Sequence, residues 1–257
     1  MVPHASAIPA PATGRRLPSV SFGPYLLLEA APWLLLATAT RMRARHSDGL
    51  LTLPLIVLVQ FAVLIALLIA SQRMIAMAGG TTGLGRLSFR EEAALARGVL
   101  GRLFLLFLAV ILLLTGLGVD RYLCASLWLG LDGIVFDWGR DMLQVWSGVV
   151  ALIVFLMIVE KGAGRPPHLG PALRQAIRRW PALAKAVLAV IVVLIACNKV
   201  QDILGSLVNP AYQQMVPMLR NLLSLGVLFA FAHLRLWATV AILTYALRAS
   251  YRSEAPG

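Results

Sequence analysis

A run of 21 residues from Leu50 to Ala70 contains no charged side chain, and Thr52 and Gln60 are its only polar residues. An α-helix rises about 1.5 Å per residue, so this run would extend about 32 Å, close to the thickness of a bilayer's hydrocarbon core. A core helix of a water-soluble domain seldom needs so long an unbroken apolar stretch. The run therefore predicts a transmembrane helix.

The composition of the whole chain agrees with a membrane environment. Of its 257 residues, 60% are hydrophobic and only 13% are charged, against about 25% charged in an average soluble domain. Glycine, proline and cysteine, with 21, 14 and 2 residues, are too few for a collagen-like or disulfide-rich architecture. We therefore expect an all-α fold, a polytopic bundle of transmembrane helices.

Six apolar blocks divide the chain. We predict a disordered N-terminal tail over residues 1–20, a short C-terminal tail over residues 249–257, and a single integral membrane domain over residues 21–248 between them. Within that domain, blocks of this length and polarity indicate about six spans, at residues 22–40, 50–70, 103–119, 142–159, 183–208 and 222–247.

Two segments of mixed polarity precede long apolar blocks. Leu87–Arg97 follows a glycine-rich linker and alternates charged with apolar residues, and a basic segment from Arg174 to Trp180 precedes the fifth span. Amphipathic helices of this kind lie along a membrane surface. We expect two interfacial elbow helices, and the similar order of elements in the two halves suggests a duplicated helical hairpin.

The basic residues indicate the orientation of the chain. The net charge is +12, but its arginines and lysines flank apolar blocks and do not collect on one polar domain, so we expect lipid and no nucleic acid as a partner. With six spans, fifteen basic residues lie on the side of the termini and seven on the other. The positive-inside rule then predicts a bacterial-type cytoplasmic (inner) membrane with both termini in the cytoplasm.

The first apolar block admits other interpretations. It contains Glu29 and Pro32, and Arg41, Arg43 and Arg45 follow it on the side that the rule predicts to be poor in positive charge. Ala37-Thr38-Ala39 has the small-residue pattern of a signal-peptide cleavage site. This block could therefore cross the membrane, re-enter it, or serve as a signal segment.

Arg235 is the most informative polar residue because it lies inside the sixth apolar block, about 20 Å from Arg248 along a helix. A charge at that depth costs at least about 2.5 kcal/mol, so it should face a partner or a wet cavity. Glu29, Asp202 and the amide of Asn198 are the candidate partners. His233 is another polar residue of that block, although two residues along a helix is a rotation of about 200° from Arg235.

No other pattern points to chemistry. Asp120, Asp132, Asp137 and Asp141 lack the spacing of a calcium loop, and we expect them to be solvated or interfacial carboxylates. We predict no catalytic residues, no cofactor and no metal. The sequence favours a non-enzymatic accessory, assembly or scaffold subunit with a membrane-protein partner or a homo-oligomeric state. The alternative is a small-solute or ion transporter or channel that uses a polar site around Arg235.

Overall fold

The computed structural model describes residues 23–45, 51–77, 89–136, 141–162 and 168–253, and these residues are helical with no β-strand among them. The all-α prediction is confirmed. The predicted N-terminal tail and the glycine-rich linker lie outside the described residues, whereas the last helix continues to Ser253, past the predicted start of the C-terminal tail.

Eight α-helices follow one another in the described part of the chain. They are α1 (Ala31–Arg45), α2 (Thr52–Met77), α3 (Phe89–Gly116), α4 (Arg121–Ser126), α5 (Asp141–Gly162), α6 (Leu169–Arg178), α7 (Trp180–Gln213) and α8 (Pro217–Ser253). Three short 3-10 helices add to them, at Pro24–Ala30, Leu127–Leu129 and Asp132–Ile134.

Four helices among the described residues are long and apolar enough to cross a membrane: α2, α3, α7 and α8. Their qualifying stretches are Thr52–Ile75, Arg90–Gly116, Trp180–Asn209 and Pro217–Arg248. These stretches contain or largely overlap the predicted second, third, fifth and sixth spans. The structure thus supports a membrane protein with four clear candidate spans, fewer than the six expected.

The other two predicted spans have different forms. The apolar part of α5, Leu143–Val159, is shorter than the four candidates. The first block begins as the 3-10 helix Pro24–Ala30 and continues as the 15-residue α1, so it is not one long α-helix. Pro24 at the start of the 3-10 helix and Pro32 near the start of α1 fit this division, because proline suits the first turn of a helix.

The two predicted elbows also differ from each other. Residues 89–97 of the first are the beginning of α3, which runs without a break into the third span. The second corresponds to a separate helix, α6, whose Ala172 and Ala176 are buried while Ile177 is exposed. This difference between the halves does not follow from a simple duplicated hairpin.

Helices α2 and α5 form the centre of the bundle. Residues 62–68 of α2 and 150–158 of α5 are buried on every side, as expected of helices that are apolar all round. Helix α3 is peripheral, since Leu105, Leu112 and Leu113 are among its exposed residues. Within a bilayer such a helix would face lipid.

Residues 127–136 form a segment that is not α-helical and yet packs into the bundle, and we call it the docked segment. Its Leu131, Ile134 and Val135 are fully buried. Two side chains from the central helices bind its backbone: Gln60 Nε2 donates to the Trp128 carbonyl oxygen, and Trp146 Nε1 donates to that of Leu127, each over 2.7 Å.

Gly130 allows this close packing. Its φ of −59° is ordinary for any residue, so the requirement is one of space and not of backbone freedom. A Cβ atom at this position would lie 2.4 Å from Trp146 Nε1. Any larger residue must displace the indole that donates to Leu127.

We predict that Gly130→Ala lowers stability by about 2 kcal/mol, because the overpacking also disturbs the Trp146 hydrogen bond. Thermal unfolding in mild detergent measures the effect. Gly205→Ala is the matched control, since nothing lies within 4 Å of its added Cβ, and there alanine should be neutral or stabilising by up to about 1 kcal/mol. Equal melting temperatures for both variants would contradict the packing argument.

Candidate functional site

The guanidinium of Arg235 lies inside the bundle and is 1% exposed. It joins three elements. Nη2 donates to Asn198 Oδ1 over 2.6 Å and to Gln201 Oε1 over 2.8 Å, both on α7, while Nη1 donates to the Val135 carbonyl oxygen of the docked segment over 2.9 Å.

Helix geometry explains why α7 supplies two acceptors. Asn198 and Gln201 are three residues apart, a rotation of about 60°, so both can face α8. The Phe231 ring, one turn before Arg235, lies 5.7 Å from the guanidinium carbon. Because a buried guanidinium is costly without hydrogen-bond acceptors, these contacts tie α7, α8 and the docked segment together.

The structure brings together only part of the predicted polar site. Asn198 contacts Arg235, whereas Asp202 is exposed on α7. Glu29 is 64% exposed and pairs with Arg73 at the C-terminal end of α2, with Nη2 and Oε1 3.7 Å apart. The proposed pairing of Glu29 with Arg235 is replaced by this contact, because the first helical stretch places Glu29 beside the last turns of α2.

His233 lies on a different side of α8 from Arg235. It is half-buried, and its ring centre is 6.1 Å from that of Phe229, one turn earlier. Gln201 was not predicted, although its position one turn after Asn198 is a usable signal. The role of the Val135 carbonyl could not be predicted from the sequence, since every residue has the same backbone carbonyl group.

A second buried charged contact involves Asp132 of the docked segment. Arg41 Nη1 of α1 is 3.8 Å from Asp132 Oδ2, and the Asp132 side chain is fully buried. The expectation that Asp132 is an interfacial carboxylate is therefore wrong. The burial of its neighbours Leu131 and Ile134 carries Asp132 inward with them.

Burial dominates the electrostatics of this pair. It raises the pKa of the Asp132 carboxyl from 3.8 to about 7, although the Arg41 guanidinium acts in the opposite direction. Burial thus favours the protonated, neutral form of the Asp132 carboxyl.

The complete candidate site is the docked segment with four side chains that hold it. Gln60, Trp146 and Arg235 donate to its backbone carbonyls, and Arg41 faces its one carboxylate. These side chains come from α2, α5, α8 and α1. The arrangement positions an irregular stretch of backbone inside the bundle and adds one titratable group.

Comparison with known proteins gives no family to this chain: no protein-family model matches it, and no curated protein or solved structure does either.

We predict that Arg235→Met costs about 3 to 5 kcal/mol of stability, because it leaves the oxygens of Asn198, Gln201 and Val135 without their charged donor. Unfolding in mixed detergent micelles measures the loss. Arg102→Met is the control, since Arg102 donates within its own helix, to the Gly98 carbonyl oxygen, and should cost less than about 1 kcal/mol.

A double substitution distinguishes this network from a general effect of charge removal. Asn198→Leu combined with Arg235→Met should cost less than the sum of the two single changes, because Asn198→Leu removes an acceptor that Arg235→Met has already left without its donor. Strict additivity would argue against a shared network.

The Asp132 pKa predicts a pH dependence. Between its ordinary value of 3.8 and about 7, the folded protein binds more protons than the unfolded chain, so stability falls as pH rises through this range and then levels off. We expect the melting temperature to decrease by about 5 °C from pH 5 to pH 8. Asp132→Asn should flatten the profile, whereas Asp202→Asn, which removes an exposed carboxylate, should leave it steep.

Proposed function

We propose that this protein is a non-enzymatic accessory, assembly or scaffold subunit of a complex in a bacterial-type cytoplasmic membrane. We further propose that its membrane-protein partner binds the end of the α7–α8 hairpin. This surface, which we call the projecting hairpin, comprises α7 from Asp202 onward and α8 as far as Val227.

The observation that carries the proposal is the exposure of this hairpin. All eight residues from Asp202 to Asn209 are exposed, which is more than two turns of helix with no side covered by the bundle. With 34 and 37 residues, α7 and α8 are about 51 Å and 55 Å long, whereas a bilayer measures about 40–45 Å across its headgroups. Untilted, each of these two helices would therefore extend beyond the lipid at one end or at both.

The exposed side chains of the projecting hairpin are largely apolar. Leu207 is 71% exposed and Met218 is 74% exposed, and the remaining large apolar residues are Val200 just before the hairpin and Ile203, Leu204, Val208, Val216, Leu219, Leu222, Leu223 and Val227 within it. Apolar area gains about 25 cal/mol per Å² when it leaves water. Contiguous exposed surface of this kind is typical of interaction sites.

Contacts near the tip support a preformed binding surface. The hydroxyl groups of Tyr212 on α7 and Ser224 on α8 are hydrogen-bonded to each other. The guanidinium carbon of Arg220 lies 5.8 Å from the centre of the Tyr212 ring. A hairpin fixed in this way loses little conformational freedom on binding, which favours affinity.

We propose six crossings with both termini in the cytoplasm, and the contacts of the first helical stretch support its being one of the crossings. Glu29 lies beside Arg73 near the end of α2, so residues 24–45 run antiparallel to α2. With a rise of about 2.0 Å per residue in the 3-10 part and about 1.5 Å in α1, this stretch extends about 36 Å. Helix α5, with 22 residues, extends about 33 Å. Under this topology the projecting hairpin is on the outer side.

A photoreactive residue at position 207 or 222 should cross-link one membrane protein in intact cells. We expect Leu207→Gln with Leu222→Gln to reduce its co-purification in mild detergent by about tenfold, because polar groups replace apolar contacts at the centre of the surface. The control pair, Leu28→Gln with Leu117→Gln, alters leucines that are similarly exposed elsewhere and should retain the partner.

The cross-linking experiment also distinguishes a partner complex from a homo-oligomer. Cross-links only between differently tagged copies of this chain would indicate a homo-oligomer in place of a partner complex. Full co-purification by the double variant, with no cross-link from either position, would remove the hairpin as the binding surface.

Transport remains the second candidate, favoured by the buried Arg41–Asp132 pair, whose carboxylate belongs to the same docked segment that Arg235 binds at Val135. A buried carboxyl group with a raised pKa that faces one buried guanidinium suits a proton-coupled site. Solute movement by the purified chain alone in liposomes, lost in Asp132→Asn, would favour transport over the accessory role.

A further inference from the structure

A groove of about 400 Å³ opens between α2 and the first three turns of α3. Its lining among the described residues consists of Phe61 from α2 and Arg90, Ala93, Ala94, Arg97 and Leu100 from α3. The two alanines leave room between the helices, and the groove has the size of a small-ligand site.

The positive charges of the groove lie on one face of α3. Arg97 follows Arg90 by seven residues, a rotation that differs from two full turns by only about 20°, and both residues are exposed. Glu91 and Glu92 are rotated by about 100° and 200° from Arg90. The acidic side chains of this region therefore lie off the face that carries the two arginines.

The residues that line the groove lie at different depths. Arg90 is at the beginning of the candidate span Arg90–Gly116, while Leu100 is ten residues, about 15 Å, further along the helix. Helix α2 runs antiparallel to α3, and its Phe61 lies 12 residues before Arg73, a separation of about 18 Å along the helix. The groove surface is almost entirely apolar, so Arg90 and Arg97 line it with their methylene chains, and both side chains are exposed.

We propose that this groove binds an anionic glycerophospholipid, with the phosphate between Arg90 and Arg97 and an acyl chain along Phe61 and Leu100. A guanidinium group offers donors in a planar fork that fits phosphate oxygens. Basic pockets between helices at the cytoplasmic side of a membrane are suited to lipid headgroups. A free phosphate would use only the rim and would leave the apolar part without an occupant.

The proposal is tested by native mass spectrometry of the delipidated full chain in a non-ionic detergent, titrated with phosphatidylglycerol or phosphatidylcholine of identical acyl chains. We expect the chain to prefer phosphatidylglycerol by about 30-fold, the effect of two basic side chains near a lipid surface. Arg90→Gln with Arg97→Gln should abolish this preference.

The control pair is Arg102→Gln with Arg121→Gln, which removes the same charge from positions that do not line the groove; it should keep the preference. Ala94→Trp should weaken binding of both lipids at this site, because the indole would fill the apolar part. Glycerol phosphate serves as the soluble headgroup and should bind at least tenfold more weakly than the lipid.

Three results would overturn the proposal. An equal loss of preference in the control pair would indicate a diffuse charge effect. Glycerol phosphate bound as tightly as the lipid would indicate a site for soluble phosphate compounds. Equal affinity of the unmodified chain for both lipids would exclude headgroup recognition in the groove.

Discussion

The backbone of the docked segment, residues 127–136, sets the constraint on which much of this bundle depends. An α-helix satisfies its own carbonyl groups, whereas an irregular segment inside an apolar interior must find donors elsewhere. Here the donors are side chains of other helices: Gln60, Trp146 and Arg235. Burying any of these polar side chains without a hydrogen-bond acceptor would cost free energy. The backbone carbonyl oxygens of the segment supply the acceptors and offset that cost. Gln60, Trp146 and Arg235 are thus best understood through the segment that they hold.

This dependence also bears on what Arg235 does. Two amide oxygens of α7 and one main-chain carbonyl surround its guanidinium in the described part of the chain. Groups that are held so closely have little freedom to exchange a solute, which is why we assign Arg235 to assembly of the bundle first. Asp132 differs, because its oxygens accept no hydrogen bond within the described residues and its partner Arg41 is 3.8 Å away. The titratable element of the site is therefore the carboxylate, which the sequence had suggested would be interfacial.

The limits of the sequence prediction follow from the same physics. Apolar length alone identified α2, α7 and α8, since a helix that crosses lipid must be long and uncharged whatever it packs against. Arg235 and Asn198 were found for a related reason: polar residues inside such helices are rare enough to be informative. The docked segment could not be found in this way, because its fold depends on contacts between residues as far apart as Gln60 and Trp128. Glu29 was predicted as a partner of Arg235, but its actual contact is Arg73. The choice between acidic partners at different depths depends on how the helices are arranged, which hydrophobic periodicity does not show. The continuation of residues 89–97 into α3 shows a further limit, since mixed polarity occurs both in a separate surface helix and in the end of a spanning one.

The exposed apolar residues of α3 and of the projecting hairpin differ in what would cover them. The middle of α3 exposes leucines at about the depth where lipid chains would cover them, so their exposure needs no protein partner. The projecting hairpin exposes similar residues on helices that exceed the thickness of the bilayer. Tilt could draw part of this length into the lipid, but the bundle opposes a tilt of α8 alone, because Arg235 ties it both to α7 and to the docked segment. A tilt of the whole molecule would instead move the Arg90–Arg97 face of α3 relative to the headgroups. The proposed lipid binding at that face and the proposed protein binding at the hairpin are therefore related, since both depend on the depth of the bundle in the membrane.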